Sequence, residues 1–150
     1  MNGDWVDLLH EMSAAGVRFL LVGAHAVGVH GIPRATRDID LWVEPTRENA
    51  SRTIAALTRF GAPLGAIGVG RSDFEALDRV VEIGVPPNRI DLMTSLSGVP
   101  DVADAWGRRR EATFSGVKVD VLGLDDLLRN KQASGRDKDL VDLRELGRLG

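Results

Sequence analysis

The sequence predicts an α/β fold (α+β in its segregation), a mixed β-sheet flanked by helices. Three observations predict it. Short, nearly all-apolar runs alternate with longer stretches of helical periodicity. Two late pairs of short strand-like segments are each joined by a tight turn. The chain has 150 residues, enough for one sizeable core, and no linker interrupts it, so residues 1–150 read as a single domain.

In order, Asp4 is placed to cap a first helix to about Ala15, with Val6, Leu8, Leu9 and Met12 as its apolar residues and Gly16 ending it. Residues 17–22, V-R-F-L-L-V, suit a buried strand. A short helix follows over 23–31, and Ile32-Pro33 marks a loop. A second strand covers 38–43. Thr46 caps a helix to about Phe60, with Ile54, Leu57 and Phe60 along one side. Residues 61–70 contain four glycines and read as a hairpin or a mobile loop; the spacing does not match the G-x-G-x-x-G of dinucleotide sites. Strands are expected at 80–85 and 89–94 around Pro86-Pro87-Asn88, and a short helix over 101–106. A hairpin is expected at 112–114 and 117–122, turning at Ser115-Gly116. Residues 124–133 are helical, Gly135 interrupts, and a last helix runs over 137–149. The resulting order, α-β-α-β-α-β-β-α-β-β-α-α, gives the mixed sheet.

Hydrophobic residues make up 43% of the chain and charged residues 27%, with a net charge of −3. A general nucleic-acid binder carries a basic excess, which is missing here. The run Arg108-Arg109-Arg110 fits a solvated turn or strand end. No apolar run approaches the roughly 18 residues of a membrane helix, and M-N-G-D-W does not begin a leader peptide. With no cysteine, thiolate chemistry is excluded and a cytoplasmic location, with no membrane partner, is expected.

The informative string is R-D-I-D-L-W-V, from Arg37 to Val43. Residues two apart on a strand share a face, so Asp38 and Asp40 project together while Ile39, Leu41 and Val43 face a core. Adjacent carboxylates repel and raise a pKa unless a cation bridges them. Magnesium suits such an oxygen site. Aspartate is disfavoured in strands, so the pair is either the solvent face of an edge strand or functional. R-I-D-L-M, from Arg89 to Met93, places Asp91 between core residues of another strand. If that strand lies beside the first, three carboxylates converge, a set sufficient for the two cations of phosphoryl transfer.

Upstream, an apolar strand ends at Gly23-Ala24 where a helix starts, which is a phosphate site or simply a tight turn. His25 in its first turn either approaches phosphates or packs. His25 and His30 are about 140° apart around a helix, so they do not share a metal. Arg37 alternates away from Asp38, whereas Arg34 in the loop is free to contact nucleotide or acceptor. Lys131 continues the inward stripe of Leu124, Leu127 and Leu128. It either snorkels outward or meets an anion, such as a phosphate or Asp91.

Together these strings resemble the DNA polymerase beta-like nucleotidyltransferase superfamily. Its pattern is an apolar residue, Gly, Gly or Ser, a spacer, and then D-h-[DE]-h with h apolar. Here Val22-Gly23-Ala24 is followed by thirteen residues and Asp38-Ile39-Asp40-Leu41, and Asp91 matches the third carboxylate. Lys131 to Leu143, K-Q-A-S-G-R-D-K-D-L-V-D-L, is similar to the Lys…Arg/Lys-Asp-Leu-x-Asp-Leu pattern of minimal members related to abortive-infection toxins of toxin–antitoxin systems. The resemblance implies a nucleotidyltransferase fold and transfer of a nucleoside monophosphate from an NTP to a hydroxyl or phosphate acceptor. The acceptor is an RNA, a protein or a small molecule. It implies magnesium, with manganese as the alternative, held by Asp38, Asp40 and Asp91. Gly23, Ala24, His25, Arg34 and Lys131 are then the nucleotide-binding candidates, Lys131 also neutralising developing charge. Arg136, Lys138, Asp139 and Asp142 look like supporting residues. A cognate antitoxin or a second copy is the implied partner. Ala24 departs from Gly or Ser and removes a hydroxyl contact, which motivates the alternative: a catalytically weak nucleotide-binding or partner-binding module of the same fold.

Overall fold

The structure is a computed structural model that describes residues 2–148. The elements are α1 (Gly3–Ala14), β1 (Phe19–Val22), α2 (Gly23–Val29), β2 (Asp38–Val43), α3 (Arg47–Phe60), α4 (Arg71–Glu75) and β3 (Val80–Ile83). They continue with β4 (Arg89–Met93), α5 (Val102–Gly107), β5 (Arg110–Phe114), β6 (Val117–Val121), α6 (Leu124–Ser134) and α7 (Asp137–Gly147). The six strands form one mixed sheet in the order β3-β4-β2-β1-β6-β5. The β2–β4 and β1–β6 pairs are parallel; β1–β2, β3–β4 and β5–β6 are antiparallel.

Local chemistry explains most boundaries. Thr46 caps α3 by accepting from the Asn49 N–H at 3.2 Å, and Gly61 closes it in a left-handed conformation. Asp101 accepts from the Ala103 N–H at 2.9 Å and starts α5. The β5–β6 hairpin turns through Ser115 and Gly116, both at positive φ, the geometry that matches strand twist. At α1 the cap is Asn2, which accepts from Asp4 N–H at 2.8 Å; Asp4 instead occupies the first turn, where its charge favours the helix dipole. The predicted end of the last helix at Leu149 lies outside the described residues.

Two departures have physical causes. Residues 61–70 form neither a hairpin nor a strand but a run of turns tied by backbone hydrogen bonds, including Val69 N–H to Leu64 C=O at 2.9 Å. The helix α4 then follows, absent from the expected order. Its cap is Gly70, whose N–H donates to Asp73 at 2.9 Å, a reversed cap without the usual Ser or Thr signal. Fully buried Phe74 anchors it.

The core runs continuously from α1 and α3 through the sheet to Leu127 of α6 and Leu146 of α7. Ile39, Leu41 and Val43 are fully buried, as alternation requires. Trp42 is equally buried although it shares the face of Asp38 and Asp40. Both faces of β2 are therefore covered beyond Leu41, and the sheet opens only at the end carrying the two aspartates. No helix among the described residues is long and apolar enough to cross a membrane.

Asn49 of α3 fastens the far end of the strands. Its amide accepts from the Arg18 N–H at 2.7 Å and donates to the Arg18 and Glu44 carbonyls, both at 2.9 Å. It is 3% exposed, so truncation orphans these groups. Asn49→Ala should lower unfolding free energy by about 2 kcal/mol in urea titration; a change below about 0.5 kcal/mol would show that water replaces the clamp.

Candidate active site

The site begins with register. β2 and β4 are parallel neighbours with Asp40 opposite Asp91 and Asp38 opposite Arg89. Neighbouring strands stand about 4.8 Å apart, so residues in register on one face are forced into proximity. Carboxylate oxygens of Asp38, Asp40 and Asp91 lie within 4.8 Å of one another. This is the convergence that the two separate strings require.

Each carboxylate is held differently. Thr36 Oγ1 donates to Asp38 Oδ1 at 3.0 Å. Asp91 is 6% exposed and accepts from Arg89 Nε at 2.9 Å. Asp40 has no ion-pair partner among the described residues. Burial, then the charges of Asp38 and Asp91, push its carboxyl up to about 7. Three carboxylate groups with oxygens within 4.8 Å of one another are a donor set that fits a hard divalent cation such as magnesium.

Gly23 explains how Asp40 fits. It sits at φ +67° at the β1–α2 junction, and a Cβ there would overlap Asp40 Oδ2. The glycine is thus required by the carboxylate itself, in addition to leaving the backbone open to a ligand.

A cleft of about 630 Å³ opens over the carboxylates. Gly23, Ala24, Arg34, Lys131 and all three aspartates line it. His25 does not: its ring stacks edge-on against Trp5 with centroids 5.1 Å apart. Burial lowers the His25 pKa, and the nearby Asp38 charge opposes that shift. The packing reading of His25 is the one its position supports. Arg37 is exposed and lines the cleft, contrary to simple alternation, because the residues before Asp38 leave the strand.

Lys131 is 5% exposed and does not reach Asp91 as its protein anion. Its Nζ lies 3.3 Å from Asp139 and 3.2 Å from Asp142, both on α7. Asp139 also takes Arg136 at 2.7 Å. Burial works to raise the Asp139 pKa, but Arg136 and Lys131 outweigh it and hold the carboxyl below its usual range. Arg34 is not free: its guanidinium is fixed by Asp142 at 2.6 Å and Glu145 at 2.7 Å. Asp139 and Asp142 therefore orient the basic wall of the cleft. The residues sequence reasoning left without a role are Thr36 and Arg89. Arg89 stands two residues before Asp91 on its face, a spacing legible in R-I-D.

The Arg108–Arg110 run is elsewhere and largely paired, Arg108 with Asp126 and Arg109 with Asp120. A second cleft of about 470 Å³ lies at the opposite end of the sheet, near Arg18, Glu44 and Trp106. Its Arg18–Glu44 and Arg52–Glu48 charges are already paired, and among the described residues it holds no carboxylate triad.

No protein-family model matches the chain, and no curated protein matches it in sequence. Solved structures do. A candidate nucleotidyltransferase from Thermotoga maritima superposes with a TM-score of 0.64 at 15% identity, covering 96% of this chain and 90% of that one. The lincomycin-bound lincosamide antibiotic adenylyltransferase LnuA gives 0.64 at 14% identity, covering 100% and 98%. ANT(2'')-Ia in complex with adenylyl-2''-tobramycin gives 0.59 at 17% identity, covering 97% and 90%. The chain has the nucleotidyltransferase fold.

Two outcomes follow from this geometry. Metal-free Asp40→Asn should be more stable than wild type at pH 8, by on the order of 1–3 kcal/mol, with the gain vanishing near pH 4. The sign follows because the folded state keeps a proton that the unfolded chain releases above 3.8, so stability falls as pH rises toward about 7. Chemical denaturation in EDTA at both pH values checks it, and a pH-independent difference contradicts it. Gly23→Ala should cost about 1–3 kcal/mol through backbone strain and overlap. Combining it with Asp40→Ala should recover part of that loss, and strictly additive effects in the double-mutant cycle would show no overlap.

Proposed function

We propose that this chain is a magnesium-dependent nucleotidyltransferase that moves a nucleoside monophosphate from an NTP to an acceptor hydroxyl. The observation that carries the proposal is the in-register meeting of Asp40 and Asp91, with Asp38 beside them and the Gly23 turn packed directly against Asp40. The fold it shares with adenylyltransferases supports the same reading.

Asp38, Asp40 and Asp91 hold magnesium, or manganese in its place; when bound, it supplies positive charge to the triphosphate. The Gly23 and Ala24 N–H groups face the phosphates at the start of α2. Arg34 and Lys131, preset by Asp139, Asp142 and Glu145, lend positive charge to the basic wall. Asp91 lies on the acceptor side and accepts the proton of the attacking hydroxyl. The acceptor oxygen bonds to the α-phosphorus, the bond to the bridging oxygen of the β-phosphate breaks, and pyrophosphate leaves. His25 contributes packing. A cytoplasmic location goes with this reading, since both NTP and magnesium are present there.

Ala24 favours one second reading, a catalytically weak nucleotide-binding module, because it offers a backbone N–H without a hydroxyl. A toxin–antitoxin setting, with an antitoxin or a second copy as partner, rests on the likeness of the Lys131 to Leu143 segment alone.

Incubation with α-labelled NTPs, magnesium and cell extract should give a labelled acceptor that disappears with EDTA. Asp38→Asn should lower the rate at least about 100-fold, the usual scale for losing one preorganised electrostatic contact. Tight NTP binding without labelled product would favour the binding module, and transfer within threefold of wild type would remove Asp38 from the site.

A further inference from the structure

The cleft is unevenly charged once its internal pairs are set aside. Its acidic lining is Asp38, Asp40, Asp91 and Asp142. The first three form the carboxylate cluster, and Asp142 is taken by Arg34 and Lys131. No lining carboxylate among the described residues is left to meet a cationic acceptor. Its basic lining includes Arg37 and Lys138, which have no ion-pair partner among the described residues, and Arg89. No aromatic side chain lines the cleft among the described residues.

Arg89 occupies a particular place in this field. Across the sheet the order is Gly23 at the end of β1, then Asp38 and Asp40 on β2, then Arg89 and Asp91 on β4. Two strand spacings, about 10 Å, separate the Gly23 turn from Arg89. If donor phosphates lie against Gly23 and Ala24, the acceptor arrives from the β4 side. There it meets Asp91 with Arg89 at 2.9 Å from its Oδ1. The second Arg89 contact, Glu82 at 2.9 Å, is on an exposed side chain of the edge strand β3, where water screens it. A guanidinium adjoining the carboxylate that faces the acceptor is suited to a phosphate, which it grips with two parallel hydrogen bonds.

The geometry points to an acceptor that carries a phosphate group beside the hydroxyl attacked, with Arg89 as the residue that binds this phosphate and sets acceptor specificity. The inference rests on the nucleotidyl-transfer reading and adds the acceptor class. It separates this chain from the fold relatives bound to antibiotics, because a polycationic aminoglycoside finds no free carboxylate here. The phosphate belongs either to the end of a polynucleotide or to a small sugar phosphate.

Equilibrium binding tests it. Wild type, Arg89→Met and Arg89→Lys are each loaded with magnesium and a non-hydrolysable ATP analogue. Each is then titrated with a short oligoribonucleotide bearing a free 3′ hydroxyl, with ribose 5-phosphate, and with tobramycin. At least one phosphate-bearing probe should bind wild type. Arg89→Met should weaken it at least about tenfold, the scale of one lost charge-assisted contact, and Arg89→Lys should recover part of the loss. Affinity should also fall with salt. Binding of the oligonucleotide alone assigns the phosphate to a polynucleotide; binding of ribose 5-phosphate assigns it to a small molecule. Tobramycin binding tighter than both probes, or neither probe binding, overturns the inference. So does an Arg89→Met protein that binds the probes as wild type does, or one that loses the ATP analogue and the probes equally. Failure of wild type to bind the ATP analogue with magnesium overturns the nucleotidyl-transfer reading and takes the inference with it.

Discussion

Three like charges held at one sheet end are the constraint around which this molecule is arranged. The parallel register of β2 and β4 sets Asp40 against Asp91, and alternation along β2 adds Asp38. Coulomb repulsion at this separation is strong in a partly buried setting. The protein offsets it with neutral hydrogen bonding from Thr36 and a guanidinium from Arg89, and the remaining repulsion, with burial, raises the Asp40 carboxyl to about 7. Repulsion of this kind costs stability, and a carboxylate set of this geometry is one that a divalent cation could bridge.

The surroundings follow from that constraint. Gly23 sits at a positive φ that strains any other residue, and a Cβ there would displace the Asp40 carboxylate. The same residue lines the cleft together with Ala24. One position thus serves both turn geometry and carboxylate packing.

The opposite wall is built on a second charge network of the reverse sign at the cleft. The helix α7 buries little apolar surface, chiefly Leu146, and joins the body through Asp139, Asp142 and Glu145. Burying Lys131 without a counter-charge would be costly, so these pairs are a condition for a lysine at that depth. Because Arg34 and Lys131 share Asp142, the loop before β2 and the helix α6 are tied to the same residue. The basic wall is consequently held by ion pairs that converge on α7.

Much of this was legible in the chain itself. The period of two in D-I-D-L, the Thr46 and Asp101 caps and the Ser115-Gly116 turn depend on neighbours a few residues away, and local pattern determines them. The three metal-binding candidates also show in sequence, because an aspartate inside an apolar strand is a local anomaly. The capping of α4 by Gly70 and Asp73 carries no Ser or Thr signal, so residues 71–75 do not read as a helix from sequence. Tertiary structure alone decided the rest: that Asp91 meets Asp40, that Lys131 pairs with Asp139 and Asp142, that His25 packs against Trp5, and that Arg34 is anchored. Arg34 and Asp142 are 108 residues apart, and neither residue's neighbours encode the distance between them. Local pattern tells which way a side chain points along its own element, whereas the partner it meets is set by how elements dock, through strand register and buried charge.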